Sequence, residues 1–180
     1  MKAIMISIKS KWCAKIMNGE KTIEVRKSKA LARAIQKLID ERGYVEIYVY
    51  YNKGSRRFPR CVLNGKVVFK FRCYKVEEID CIASDNGFAI KRYKTKELSI
   101  VDIMEKSCLV FEDLKDYLCY SNGYAIYISN LEIFDKPKEL DDFKHYIKRR
   151  FCLVGGGIGE DIFLQSLEKA PQNFCYVEVD

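Results

Sequence analysis

The order of apolar runs along the chain restricts the fold more than any other feature of the sequence. Short runs rich in β-branched and aromatic residues are interspersed with amphipathic stretches, and no regular strand–helix–strand period is present. A doubly wound sheet needs that period, because crossover helices join its parallel strands. The order therefore predicts an α+β domain around a mixed, curled sheet. No repeat or linker marks an internal boundary, so we expect one domain over residues 1–180.

Hydrophobic periodicity locates the elements of this domain. Strands are predicted at Lys2–Ile8, Lys21–Arg26, Val45–Tyr51, Val62–Tyr74, Tyr124–Phe134 and Phe174–Val179. Helices are predicted at Lys11–Asn18, Lys29–Arg42, Ile100–Lys106, Glu112–Leu118, Leu140–Phe151 and Glu160–Lys169. The last two helices, with the loop between them, would form an addition to the domain at about residues 141–169.

Four of these segments carry more detailed expectations. Ser10 and Ser28 have the hydroxyl that caps a helix N-terminus, so we expect both to cap the helices that follow them. The Asn64-Gly65 dipeptide suits a tight turn between two strand-like runs within Val62–Tyr74. Alternatively, the overlapping segment Val67–Ile79 forms one long strand. The run Tyr124–Phe134 is either a pair of strands or one bent strand.

Composition argues against several classes of protein. The chain is 48% hydrophobic, which makes disorder improbable, but it has no apolar run of about 18 residues that would span a membrane. No secretory signal is visible, so a cytoplasmic location is expected. Eight cysteines occur without a C-x-x-C pair, and the one histidine, His145, lacks zinc-finger spacing. We therefore predict reduced thiols, no metal site and no cofactor.

Positive charge is concentrated in the first part of the chain. Residues 1–75 contain 19 Lys and Arg against 5 Asp and Glu, whereas residues 76–180 contain 13 against 20. Such an asymmetry favours a partner that carries phosphate groups, such as RNA. The alternative is that the two parts fold together and pair their charges.

The predicted strand Lys21–Arg26 has one polar face. Alternation places Ile23 and Val25 towards a core, and Glu24 and Arg26 on the opposite side, about 6–7 Å apart. These two side chains could form an ion pair that braces the sheet. In a cleft, Glu24 could instead accept from the exocyclic amine of a base or act as a general base.

The segment Gly19–Arg26, with the pattern G-x-K-x-x-E-x-R, resembles the signature of the ASCH family. The runs Ile6–Trp12, Ile128–Leu140 and Ala170–Glu178 also resemble bacterial and phage members of that family, in the same order. The resemblance implies a PUA-like mixed β-barrel with surrounding helices and a cleft beside the signature strand. It further implies RNA binding or RNA modification.

One relative in this family removes the acetyl group from N4-acetylcytidine with a lysine, a threonine and a glutamate. Lys21 matches that lysine, whereas Glu24 stands where the relative has threonine. The resemblance thus makes Lys21 a candidate catalytic residue, and Glu24 is a second candidate because its carboxylate could serve as a general base towards water. The candidate ligand-binding residues are Lys21, Thr22, Glu24, Arg26, Trp12, Lys53, Ser129 and Gln172.

Binding of RNA or a modified nucleoside is the leading functional hypothesis. The alternatives are a hydrolase of the same fold, either an N4-acetylcytidine-type amidohydrolase or a single-strand ribonuclease, and an adaptor that recruits another protein. A closed pocket with Lys21 bonded to a carboxylate would favour the enzyme. An open groove running to the basic loop at Arg56, Arg57 and Arg60 would favour a strand binder. A large exposed apolar patch would favour the adaptor.

Overall fold

The computed structural model describes residues 1–52, 62–82, 92–119, 121–152 and 158–179. The strands within these ranges are β1 Lys2–Lys9, β2 Ile23–Arg26, β3 Val45–Asn52, β4 Val67–Cys73, β5 Val76–Ile82, β6 Arg92–Lys94, β7 Gly123–Tyr127, β8 Ser129–Lys138, β9 Lys144–Cys152, β10 Ile158–Ser166 and β11 Phe174–Glu178. The helices are α1 Ser10–Met17, α2 Lys29–Arg42, α3 Ile100–Ser107 and α4 Phe111–Leu118.

The described strands form two sheets. The large sheet has the order β10-β9-β11-β1-β3-β4-β8, and the small sheet has the order β2-β7-β5-β6. Strands β1 and β3 are parallel, and the other described pairs are antiparallel. This mixed architecture confirms the α+β prediction. The described pairings do not close either sheet into a ring, so the PUA-like barrel stays a prediction.

Strand β1 lies inside the large sheet and is covered on both faces. Ile4, Ile6 and Ile8 belong to the core beneath α1 and α2, whereas Ala3 and Met5 belong to a second core on the opposite face. This burial explains why the run K-A-I-M-I-S-I lacks the alternation of a half-exposed strand. The small sheet packs its own core against α3 and α4.

The two predicted helix caps have different outcomes. Ser28 caps α2 as expected, with its hydroxyl accepting a hydrogen bond from the Leu31 amide at 3.1 Å. The cap prediction for Ser10 is wrong, because β1 continues directly into α1. The extended residue before the helix is Lys9, which makes no side-chain cap, and Ser10 is already helical.

The two segments with alternative predictions each contribute to both sheets. The turn at Gly65, with a φ of 85°, precedes β4, and the strand then breaks before β5 joins the small sheet. One continuous strand over Val67–Ile79 is therefore wrong. Residues Tyr124–Phe134 form a pair of strands, with β7 in the small sheet and β8 in the large sheet.

The helices predicted at Leu140–Phe151 and Glu160–Lys169 are wrong, because these segments form the β9–β10 hairpin at the edge of the large sheet. Phe143 and Leu167, buried apolar residues of these two segments, instead close the base of the hairpin. There the Leu167 amide donates to the Phe143 carbonyl at 2.8 Å. Cross-strand pairs such as Arg150–Glu160, at 2.7 Å, then favour the extended form.

None of the described helices has both the length and the apolar composition needed to cross a membrane.

Candidate ligand-binding cleft

A cleft of about 440 Å³ lies where the two sheets approach each other. The parallel strands β1 and β3 end side by side at Lys9 and Asn52, and these residues line one wall. Strand β2 lines another wall, and α1 and α4 contribute further residues. The volume lies within the range of about 300–1,000 Å³ that is usual for sites that bind small molecules.

Three charged side chains meet on the polar face of β2 and the residues just before it. Lys21 Nζ lies 3.2 Å from Glu24 Oε2, and Arg26 Nε lies 3.0 Å from Glu24 Oε1. Ile23 and Val25 pack in the core of the small sheet, as the alternation predicts. Glu24 and Arg26 therefore form the expected ion pair, and all three charged residues also line the cleft.

The two cations of this group connect β2 to other parts of the fold. Arg26 Nη2 donates to the carbonyl of Ser7 in β1 at 2.7 Å, which links the small sheet to the large one. Lys21 Nζ donates to the carbonyl of Ser107 at the end of α3 at 2.8 Å. The charged group thus braces the walls of the cleft and also supplies part of its surface.

Lys21 and Glu24 are 3% and 7% exposed, so both are largely removed from water. Burial of a single charge is strongly unfavourable, and such groups persist when they are paired and hydrogen-bonded. The same environment acts on the neighbouring Cys13, where burial raises the pKa of the thiol and the Glu24 carboxylate raises it further. Cys13 is therefore a packing residue rather than a nucleophile.

Trp12 lines the cleft and also packs against the core. Lys11 Nζ lies 4.2 Å from the centre of its ring, and Lys21 Nζ lies 5.3 Å from it. These distances are typical of cation–π interactions. Trp12 therefore helps to hold the buried ammonium group of Lys21, in addition to any contact with a ligand.

The remaining predicted residues lie in different places. Gln172 lines the cleft, whereas Thr22 and Ser129 do not line it within the described residues. The Thr22 carbonyl accepts from the Ile128 amide at 2.9 Å, so its backbone joins β2 to the β7–β8 connection. Lys53 and the loop at Arg56, Arg57 and Arg60 lie outside the described residues.

Helix α4 supplies cleft residues that the sequence did not reveal. Asp113 and Tyr117, four residues apart on one helical face, line the wall together with Leu109. The sequence shows that these two residues have i, i+4 spacing. Nothing in their neighbourhood along the chain indicates that they lie beside β2, which is almost ninety residues earlier. With Lys9 and Lys11 added at the rim, four basic and two acidic side chains line the described cleft.

Comparison with known proteins identifies a distant structural likeness. No protein-family model matches the chain, and no curated protein matches it. Among solved structures, it is similar to a mutant of the ZmASCH protein from Zymomonas mobilis, with 13% sequence identity, 78% of each chain covered and a TM-score of 0.48. This likeness is too distant to assign a function, so we interpret the cleft from its own residues.

Proposed function

We propose that the cleft binds RNA or a modified nucleoside. The observation that carries this proposal is the meeting of Lys21, Glu24 and Arg26 on the wall of an accessible cavity large enough for a small ligand. These are three of the four residues by which the segment Gly19–Arg26 resembles the ASCH signature, the fourth being Gly19. The resemblance therefore supports the same proposal, and with it a PUA-like domain.

The chemistry of the wall suits a nucleotide. Arginine has five N–H donors, and Arg26 directs Nη2 to the Ser7 carbonyl and Nε to Glu24, which leaves further N–H groups on a side chain that lines the cleft. It can therefore still bind a phosphate oxygen. Lys9 and Lys11 are exposed at the rim and can hold a neighbouring phosphate. The amides of Asn52 and Gln172 can pair with the edge of a base.

Binding can be tested by fluorescence anisotropy with labelled single-stranded RNA at several salt concentrations. We expect Lys11→Gln and Arg26→Ala to weaken binding. Each lost phosphate contact should reduce the slope of log K against log salt by about 0.7. Lys37→Gln is the matched control, because Lys37 is exposed on α2 and does not line the cleft. Equal affinities and slopes for all four proteins would contradict the proposal.

A hydrolase is the second candidate, because Lys21 lies within 3.2 Å of a carboxylate inside the cleft. In that reaction Glu24 would act as a general base towards water, and Lys21 would polarise the carbonyl of the substrate amide. Incubation with N4-acetylcytidine followed by chromatography tests it, with Glu24→Gln as the inactive control. If no cytidine forms, the amidohydrolase is excluded, and intact RNA on a gel excludes the ribonuclease.

A further inference from the structure

A second cavity, of about 350 Å³, lies on the large sheet, and its described lining shares no residue with the cleft. Its lining residues are Glu46, Lys70, Phe71, Arg72, Asn130, Leu131 and Glu132. Glu46 and Asn52 lie near opposite ends of β3, about 20 Å apart at 3.3 Å per residue. The two cavities are therefore separate sites.

The floor of this cavity holds a buried carboxylate that lacks close partners. Glu46 is only 7% exposed, within a strand that is otherwise apolar and aromatic up to its last residue. Its described neighbours lie at 3.4 Å for Lys70 Nζ, 3.5 Å for Tyr48 Oη and 3.7 Å for Arg72 Nε. Charge-assisted hydrogen bonds are usually about 2.7–2.9 Å long. The charge of Glu46 is therefore balanced by contacts that are longer than usual, and its two oxygens can still accept from a ligand.

An irregularity in the sheet accompanies the cavity. Lys70 pairs with Glu132, but Arg72 pairs with Ser129, so strand β8 carries an additional residue at this point. Asn130 lies in this bulge with a φ of 46°, in the left-handed region. Bulges redirect side chains and recur beside binding sites. The bulge places Asn130 and Leu131 in the lining, across the sheet from Glu46.

The charges of the lining limit the ligand. Lys70 and Arg72 balance Glu46 and Glu132, so a simple anion or cation would meet as much repulsion as attraction. A neutral group with N–H donors beside a carbonyl acceptor satisfies both kinds of lining group. The donors would bind the carboxylate, and the acceptor would bind the ammonium group of Lys70.

Arg72 of the lining also contacts an aromatic side chain. Its guanidinium group is 4.7 Å from the centre of the Tyr44 ring, a distance typical of a cation–π interaction. This contact helps to hold the guanidinium group in place, and guanidinium planes can stack on nucleobases.

We propose that this cavity is a second binding site, and that it takes a guanine base. Guanine presents two adjacent donors, N1–H and the 2-amino group, beside the O6 acceptor. Glu46 accepts from the two donors, Lys70 donates to O6, and Arg72 covers one face of the ring. The proposal is independent of what the cleft binds. A free guanine nucleoside and a guanine in single-stranded RNA present the same edge.

Titration of ¹⁵N-labelled protein with guanosine tests the site. We expect the amide signals of Arg72 and Leu131 to shift while the indole signal of Trp12, in the cleft, stays in place. Inosine lacks the 2-amino group and should bind about tenfold more weakly, because it loses one hydrogen bond to a charged acceptor. Adenosine, which has neither the carbonyl nor the N1–H, should not bind.

Variants separate this site from the cleft. Glu46→Gln should bind guanosine at least about tenfold more weakly, whereas Glu41→Gln, altered at an exposed residue of α2 that lines neither cavity, should retain affinity within about threefold. Arg26→Ala should bind guanosine normally even if it loses RNA from the cleft. The affinities of the oligonucleotides UUGUU and UUAUU are then measured beside that of guanosine. Binding of UUGUU but not of UUAUU would show that the site accepts guanine within a strand.

Three results with the wild-type protein would overturn the proposal. They are equal affinity for guanosine and inosine, shifts confined to cleft residues, and no binding of guanosine up to millimolar concentration. Because none of them needs a variant, they decide the question even if Glu46→Gln fails to fold. Loss of guanosine binding in Arg26→Ala would assign the base to the cleft, which would support the proposed function and overturn this second site.

Discussion

The buried charges of the cleft lead to a quantitative prediction for Glu24→Gln. This substitution removes the negative charge that lies 3.2 Å from Lys21 Nζ and 3.0 Å from Arg26 Nε. Lys21, only 3% exposed, would keep one carbonyl acceptor and the face of Trp12. Its charge would then be buried without an opposite charge from Glu24.

Removing one partner of a buried ion pair costs about 3–5 kcal/mol in free energy of unfolding. Glutamine keeps one oxygen acceptor, and Arg26 is partly exposed, so we expect a loss near the lower limit, about 3 kcal/mol. The double variant Lys21→Met with Glu24→Gln removes both charges. It should be more stable than the two single losses together predict, with a coupling of about 2 kcal/mol.

Urea denaturation measures these differences. With a slope of about 2 kcal/mol per molar urea, a loss of about 3 kcal/mol lowers the midpoint by roughly 1.5 M. The pair Lys37–Glu41 on α2 gives a matched control, since its atoms lie 3.8 Å apart and both side chains are exposed. The corresponding cycle with Lys37→Met and Glu41→Gln should give a coupling of no more than about 0.5 kcal/mol.

Two results would refute this reasoning. A destabilisation by Glu24→Gln of less than about 1 kcal/mol would mean that the charge is better hydrated than the structure indicates. A coupling equal to that of the exposed pair would mean that burial does not strengthen the interaction.

Three further predictions test other parts of the structure. Ser28→Ala should destabilise the protein by about 1 kcal/mol through loss of the cap of α2, whereas Ser10→Ala should have little effect. Thermal unfolding of both variants tests this, and equal shifts in Tm would contradict the assignment of caps. Iodoacetamide at neutral pH should label the exposed Cys119 before Cys13, whose thiol has a pKa raised by burial. Peptide mass mapping gives the order of labelling, and earlier labelling of Cys13 would contradict this prediction. Burial alone would raise the pKa of Glu77, but a hydrogen bond from a tyrosine hydroxyl and a nearby lysine lower it overall. Its contribution to stability is therefore fully present above the ordinary pKa of 4.5 and is lost as the pH falls through the lower pKa of the folded state. The loss of stability with falling pH should therefore be less steep for Glu77→Gln than for the wild type when unfolding is measured at several acidic pH values. Identical profiles for the two proteins would count against this assignment.

Local signals were sufficient for most elements of the fold. The runs at Lys2–Ile8 and Val45–Tyr51 contain enough β-branched and aromatic residues to predict strands, and α2 has both a serine cap and a terminal glycine. The polar face of β2 followed from strict alternation. These features depend on neighbours within a few residues, which a sequence displays directly.

Features that depend on distant neighbours were not accessible in this way. The segment Leu140–Phe151 has an amphipathic pattern that also suits a helix, and its pairing with β10 decides in favour of a strand. Similarly, Asp113 and Tyr117 reach the cleft only because α4 packs on the small sheet. The assignment of β4 and β5 to different sheets also depends on partners far along the chain.

The position of β1 has a consequence for how the polypeptide acquires its structure. β1 lies between β3 and β11, and its register with β11 joins residues as far apart as Lys2 and Glu178. The strand that follows it in the chain, β2, belongs to the other sheet, so β1 has no hairpin partner nearby. Its parallel partner β3 is made early, but the edge of β1 that pairs with β11 must wait, during synthesis, until nearly all of the chain between them has been made. Non-local pairing of this kind slows folding and lengthens the time during which β1 can associate with other molecules.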